Sequence, residues 1–486
     1  MSDNSILKKM LLNKVAKCIN GKVNDLEKLI SYARMTEMPD PAVKNFIDSL
    51  DTSIKEGTNF SKIFLRVGQE TTRGYRKKLV TNLIFNQFIM GKMKRNELSQ
   101  GEDIIPGFVV VSPTMRCNLK CTGCYSGLYT KDGELSEQEL DKLFGDLRDM
   151  GIYFVVISGG EPYLLKDALL RLFKKYNDMF FLTYTNGTFL DGKVAKQLGK
   201  LGNVAPAISV EGWEEETDAR RGRGTWKKIM SAMDNLRKQG VMFGISVTAT
   251  RHNLDIISDD KFVEFFMNKG IIFGWYFMFM PVGKDPILDL VMTPQQRKLC
   301  GKRVSELRDK YPVFLADFWN DGEAVGGCLA GGRQYLHILN SGNVEPCVFA
   351  HFGVDNIRDK PLLEIVNSEF FKDIRRHFPY NDKANLKRPC MIIDNPTVLR
   401  ETVHKHVVAA GHDHSEDIID DPEVVKWVDN YSKEFAALVD DEWEEMINDP
   451  NNRWYKEGEE YQDLFYYKRL GEATKKEKEE ESKVSS

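Results

Sequence analysis

Strands alternating with helices through the middle of the chain predict an α/β protein with parallel strands, and three observations carry the prediction. Six short β-branched or aromatic runs recur between residues 105 and 290: FVVVSPT (108–114), YFVVIS (153–158), FFLTYT (180–185), VAPAISV (204–210), FGISVTAT (243–250) and FGWYFMFM (273–280). Amphipathic segments separate them, such as SEQELDKLFGDLRDMG, which opens on Ser136 as a cap and stops at Gly151. Residues before 105 show only three- and four-residue apolar spacing, as in Leu26, Leu29, Ile30 and Phe46, Ile47, Leu50. Six βα units form either an open doubly wound sheet or a partial barrel. Both put the chemistry at the C-terminal ends of the strands.

The elements follow in order. Residues 1–104 form a helical N-terminal region, ending in YRKKLVTNLIFNQFIMGKMKRN (Tyr75 to Asn96), which is apolar in its middle and basic at both ends. The favoured reading docks this helix on the next domain through its apolar face, Phe88 included; the rival lays it on a lipid surface, with its basic residues at the headgroups. Residues 105–300 carry the six βα units. Residues 320–400 are loop-rich, with cysteines among glycines and prolines, and need a metal to hold their shape. Residues 401–470 are helical and acidic, and 471–486 are too polar to pack and are expected to be disordered.

Composition limits the partners. With 68 Lys+Arg against 72 Asp+Glu, the net charge of -4 gives no basic field for nucleic acid. The first residues lack a signal-peptide core, and no window is long enough to span a membrane, so a cytoplasmic protein is expected. Eight cysteines in 486 residues are too few for a disulfide scaffold and point to free thiols or metal ligands.

Three of them lie in CNLKCTGCY: Cys117, Cys121 and Cys124, just after the first strand. A structural zinc site wants a fourth ligand nearby, and no cysteine follows before Cys300; a redox pair of Cys121 and Cys124 leaves Cys117 unexplained. A [4Fe–4S] cube suits the spacing better, with three irons held by thiolate and the fourth open to substrate. The pattern resembles the radical S-adenosylmethionine (SAM) superfamily, and this resemblance selects the partial (β/α)6 TIM-like barrel. In that family the open iron chelates SAM, whose reductive cleavage yields a 5′-deoxyadenosyl radical. The position before the third cysteine is often aromatic there; here it is Gly123, with Tyr125 after Cys124.

Later strand ends extend the resemblance. GGEP, Gly159, Gly160, Glu161 and Pro162, follows the second strand, and its two residues without Cβ let backbone approach a ligand closely. Thr185 and Asn186 follow the third strand, and Ser209 and Glu211 the fourth; by resemblance they contact the ribose and carboxylate of SAM. Arg221, in DARRGRGTW, is the expected partner of the SAM carboxylate, and Pro281 and Gly283 in FMPVG form the turn facing adenine. Each of these dipeptides is also common in ordinary loops.

Cys328, Cys347 and Cys390 form a second set. GNVEPC, with a glycine five residues before Cys347, turns that thiol back toward Cys328. The segment resembles the SPASM/twitch extension, with three cysteines in place of seven. One auxiliary iron–sulphur cluster is implied, its fourth ligand non-cysteine, a substrate group or absent; zinc, completed by His351 or His337, and buried unliganded thiols are the alternatives. Cys18 and Cys300 read as ordinary thiols in helices. His404, His406, His412 and His414 read as a solvated linker, with a metal or proton-handling surface as the rival.

These residues imply an enzyme that cleaves SAM and abstracts hydrogen from an unactivated C–H bond. Its partners would be a reductant such as flavodoxin or ferredoxin and a peptide, tetrapyrrole-type or hydrophobic substrate. The competing reading is a non-catalytic iron–sulphur carrier or scaffold, to which SAM contacts would be useless.

Overall fold

The computed structural model describes residues 19–34, 41–283 and 287–452. Cys18, residues 453–470 of the expected helical region and the 471–486 tail lie outside the described residues.

All six predicted runs are strands: β1 (Val109–Val111), β2 (Phe154–Ile157), β3 (Phe180–Thr185), β4 (Val204–Val210), β5 (Gly244–Ala249) and β6 (Phe273–Met278). They lie side by side in chain order and parallel throughout. Each connection includes a helix that buries one apolar stripe. The helix Glu137–Asp149 buries Leu140, Leu143, Phe144 and Leu147 and is closed at its start by a reciprocal Ser136–Glu139 capping box.

Three further strands extend the sheet. β7 (Phe314–Asp317) continues it beyond β6, β8 (His337–Ile338) pairs parallel with β1, and β9 (Val344–Glu345) runs antiparallel to β8. The order β7-β6-β5-β4-β3-β2-β1-β8-β9 leaves two edges, the arrangement of a partial barrel. Because β8 and β9 come from the cysteine-rich segment, the sheet itself runs from the 105–300 region into the 320–400 region.

The helix before β1 is continuous from Arg73 to Leu98, with Leu79–Gly91 wound in the wider π form. Its buried polar residues fit that winding, since Asn82 and Gln87 stand five apart. They dock the helix on the N-terminal ends of the strands. The Tyr75 hydroxyl donates to the Val204 carbonyl (2.7 Å), and Asn82 Nδ2 donates to the Asn177 and Met179 carbonyls (2.9 and 2.8 Å). Gln87 donates to the Gly107 carbonyl (2.5 Å) and accepts from the Tyr153 amide (2.7 Å).

The basic flanks serve the same end: Arg76 binds the carbonyls of Gly68 and Thr71, Lys78 that of Asn177, and Arg95 that of Gly151. Docking is therefore polar as well as apolar, with Val80 buried in the core and Leu79, Leu83 and Ile84 packed on it, but Phe88, 56% exposed, is not its anchor as the sequence suggested. Phe88→Asp should change unfolding free energy by no more than about 0.5 kcal/mol, as surface substitutions do. Gln87→Ala, which removes two part-buried hydrogen bonds, should cost about 1–3 kcal/mol. Urea denaturation of the two variants checks the contrast.

Near the C-terminus a long helix, Pro422–Asn448, buries Val428, Tyr431, Phe435, Val439, Trp443 and Ile447 and packs against the helix Pro294–Lys310. Between them, β11 (Ala409–Ala410) pairs antiparallel with β10 (Phe352–Gly353), pinning the histidine-rich segment to the cysteine-rich one. Among the described residues no helix is long and apolar enough to cross a membrane.

Candidate active site

The loop after β1 presents Cys117, Cys121 and Cys124 as free thiols at the C-terminal edge of the sheet. Loss of water around its sulphur pushes the Cys117 thiol up to about 11, with the Glu161 carboxylate and the other two thiols adding to the effect. Burial raises Cys121 too, while Arg221 and Arg220 act in the opposite direction. Without a cation Cys117 and Cys121 resist ionisation, and iron reverses that balance. The donor set therefore fits a cationic cluster.

Gly123 has φ +62, and a Cβ there would stand 2.5 Å from the Phe279 ring. An aromatic just past the end of β6 thus fills the space beside the third cysteine, which is why glycine stands at this position. Tyr125 is half-buried, bonds Ser158 Oγ at 3.0 Å and contacts the Phe349 ring at 5.4 Å.

GGEP binds this loop rather than open space. The Gly160 amide donates to the Thr114 carbonyl (2.9 Å) and the Glu161 amide to the Arg116 carbonyl (2.8 Å). A Cβ on Gly160 would lie inside the van der Waals surfaces of the Met115 and Arg116 carbonyls, and one on Gly159 inside that of Thr114. Their closest approach is thus to the cysteine loop, a different reason for glycine from the ligand contact the sequence suggested. Gly160→Val should displace that loop, so reconstituted protein should lose about four irons along with SAM cleavage. Iron analysis showing full occupancy would contradict this.

Glu161 is fully buried, and burial lifts its carboxyl to about 7. It accepts from the Tyr163 amide (3.0 Å), the Thr185 hydroxyl (2.9 Å) and the Asn186 amide (2.8 Å), tying the ends of β2 and β3 together. Pro162 begins the short 3₁₀ turn that follows. Asn186 Nδ2 reaches Asn118 Oδ1 at 2.9 Å and Cys117 Sγ at 3.8 Å. Past β4, Glu211 is buried and holds Arg220 and Arg221, both through Oε1 (2.7 and 2.5 Å). Its Oε2 is buried with no hydrogen-bond partner among the described residues, an acceptor awaiting a donor. Ser209 is half-buried beside Ser246 of β5. Arg221, expected to face a ligand carboxylate, here pairs with Glu211.

Several participants escaped the sequence reading. Arg220 bonds Glu211, Thr248 and the Thr122 carbonyl, clamping the cysteine loop to β5; its only sequence signal is adjacency to Arg221. Ring contacts run from Tyr184 to Phe277 (5.6 Å), Phe318 (5.2 Å), Trp319 (5.3 Å) and Phe349 (5.2 Å). Tyr125 joins them through Phe349, so this aromatic cluster reaches the cysteine loop. The alternating aromatics of FGWYFMFM and the FW pair before Cys328 were the available signal.

The segments of the second cysteine set meet, the Gly331 amide three residues past Cys328 donating to the carbonyl of Pro346 beside Cys347 (2.8 Å). The β8–β9 hairpin turns at Gly342 (φ +88) and brings Cys347 within electrostatic reach of Cys328. Burial pushes Cys347 up to about 12 and raises Cys328 and Cys390. Among the described residues no three His, Cys, Asp or Glu side chains converge tightly enough for a single metal ion. His337 is engaged by Ser112 and Glu345, and His351 by His412 (2.7 Å), so neither serves as the extra zinc ligand considered from sequence. The four histidines of the 404–414 segment do not converge: His404 meets Asp420, His406 Asp373, His412 His351 and His414 Asp417. They staple the segment down rather than form a solvated linker. Cys300 is a buried core thiol beside Asp317.

Comparison with known proteins decides the family. The Radical SAM superfamily model matches residues 111–266, and the SPASM iron–sulfur cluster-binding domain model matches residues 328–391. Fe-coproporphyrin III synthase of Methanosarcina barkeri is 32% identical over 298 residues, 53% of this chain and 72% of that protein. The chain belongs to the radical SAM superfamily. AdoMet-dependent heme synthase of Oleidesulfovibrio alaskensis is 29% identical over 305 residues, 56% of this chain and 77% of its own. The crystal structure of Streptococcus suis SuiB bound to precursor peptide SuiA matches the fold with TM-score 0.53 at 17% identity, covering 68% of this chain and 79% of that one. This radical SAM protein is an enzyme, and its cofactors are a [4Fe–4S] cluster and SAM, with auxiliary iron–sulphur in the SPASM domain. The carrier reading is thereby set aside.

Proposed function

We propose that the enzyme abstracts hydrogen from an unactivated C–H bond of a tetrapyrrole-class substrate held against the aromatic cluster. Cys117, Cys121 and Cys124 would hold the cluster, which when bound supplies the electron that cleaves SAM. Arg220 fixes their loop to the sheet. Gly159, Gly160, Glu161 and Pro162 would border the SAM amino group, with Glu161 oriented by Thr185 and Asn186. The unpartnered Glu211 Oε2 would accept a ribose hydroxyl, Ser209 would lie beside the same ligand, and Arg221 would turn to its carboxylate. Cys328, Cys347 and Cys390 would hold the auxiliary cluster.

The run of rings from Tyr184 to Phe349 carries the substrate class. These rings, tilted or edge-on to one another, make a water-poor apolar cluster against which a macrocycle would pack, and two relatives are named for tetrapyrrole chemistry. A reductant is required, flavodoxin or ferredoxin by chemistry, and we place the enzyme in the cytoplasm.

The experiment is anaerobic reconstitution with SAM and dithionite, followed by chromatography for 5′-deoxyadenosine. Its formation should rise when iron-coproporphyrin III is added, and the porphyrin's Soret band should shift on binding. Phe277→Ala should weaken that binding. No 5′-deoxyadenosine under any condition defeats the reading, and formation indifferent to the porphyrin defeats the substrate class.

A further inference from the structure

Three thiols leave a four-iron cluster one ligand short, and the surroundings of Cys328, Cys347 and Cys390 offer few oxygen or nitrogen atoms to complete it. Asp394 is close, but its carboxylate is held by both terminal nitrogens of the buried Arg297 and accepts the Cys390 amide at 3.0 Å. The Tyr335 hydroxyl is bonded to Cys347 Sγ at 3.1 Å. Arg333, a cation, donates to the carbonyls of Cys328 and Gly326.

Tyr380 differs from all of these. It is 6% exposed, and its hydroxyl is buried with no hydrogen-bond partner among the described residues. Leaving a buried hydroxyl unpaired is destabilising, so its retention calls for a reason. The oxygen lies beside Gly331, where a Cβ would approach it to 3.3 Å. Gly331 stands three residues after Cys328, and its amide donates to the carbonyl of Pro346, the neighbour of Cys347. Burial pushes the Tyr380 phenol well above its ordinary range, with Cys328, Cys390 and Cys347 adding to the effect and Arg333 opposing it. The backbone of Tyr380 also sits at φ +72, a conformation a bulky residue rarely adopts unless its surroundings impose it.

We propose that the Tyr380 phenolate oxygen is the fourth protein ligand of the auxiliary cluster. Assembly would form one iron–oxygen bond and release the phenol proton to solvent, as metal binding does at other protonated ligands. Oxygen is a harder donor than thiolate, so the iron it holds would be the distinct one of the four. This rests on the SPASM segment holding a four-iron cluster, and the experiment separates the two claims.

The test uses the full chain carrying Cys117→Ala, Cys121→Ala and Cys124→Ala, reconstituted with ferrous iron and sulphide, so that only the auxiliary cluster remains. It should hold about four irons, and its resonance Raman spectrum should show tyrosinate ring modes that shift with ring-deuterated tyrosine. Tyr380→Phe removes one oxygen and keeps the ring. In that variant the tyrosinate modes should vanish, and the cluster should fall to about three irons with a three-iron electron paramagnetic resonance signal when oxidised. Unchanged iron and no tyrosinate modes in the parent would overturn Tyr380 as ligand while leaving the cluster in place. Absence of auxiliary iron from the parent would overturn the cluster and the ligand together. Circular dichroism of Tyr380→Phe must match the parent; a variant that unfolds hands the decision to the parent's tyrosinate modes, whose absence overturns the proposal.

Discussion

Replacing Cys117, Cys121 and Cys124 together by alanine should eliminate 5′-deoxyadenosine formation and halve the iron, from about eight atoms per chain to about four. The size of the effect follows from the architecture. These are the thiols of the loop between β1 and the helix Glu137–Asp149, and that loop is anchored by backbone bonds to Gly160 and Glu161 and by Arg220, none of which supplies a replacement sulphur. Folding should survive, because the loop packs at the sheet's edge and the apolar core lies beneath it. The remaining iron should belong to Cys328, Cys347 and Cys390, and alanine at those three should give the complementary loss. Iron content identical to the parent in the first variant would mean that the two sets have been assigned wrongly.

Local pattern made much of this fold readable. The six core strands were visible because each buried run is β-branched or aromatic and is followed by an amphipathic helix. β7 escaped because FLAD holds no β-branched residue and follows Pro312, and β8 because two residues show no period at all. What binds β8 is its register against Val110 and Val111, a long-range fact absent from any window of sequence. Likewise the basic flanks of the 73–98 helix look like a membrane signal until their carbonyl partners are known.

The site divides along the same line. Cysteine spacing is a local property, so the thiols could be found directly. Arg221 could be picked out as a charge, but its partner Glu211 lies ten residues away and is reached only through the geometry of the β4 loop. The Gly160 requirement was visible and its cause was not, because the carbonyls that exclude a Cβ belong to residues 115 and 116. Tyr380 has no signature at all, since an unpaired hydroxyl is a property of what surrounds it.

Asp394→Ala should destabilise the chain by about 3–5 kcal/mol, because it strands a buried guanidinium. Arg297 and Asp394 are both 0% exposed in their side chains, and Arg297 also lies over the Phe435 ring at 3.8 Å. Phe435 comes from the long C-terminal helix, Arg297 from the helix before β7 and Asp394 from the turn after Cys390, so three segments meet at one ion pair. Losing the carboxylate also frees the Cys390 amide, so auxiliary iron should be retained less well than in the parent. Removing both charges at once, as Arg297→Met with Asp394→Leu, leaves no ion unpaired and should recover most of the lost stability. The double variant should still hold auxiliary iron poorly, since the Cys390 amide keeps no acceptor. Urea midpoints and iron content of the three proteins separate these effects. A single Asp394→Ala variant within about 1 kcal/mol of the parent would show that water or another acceptor reaches Arg297.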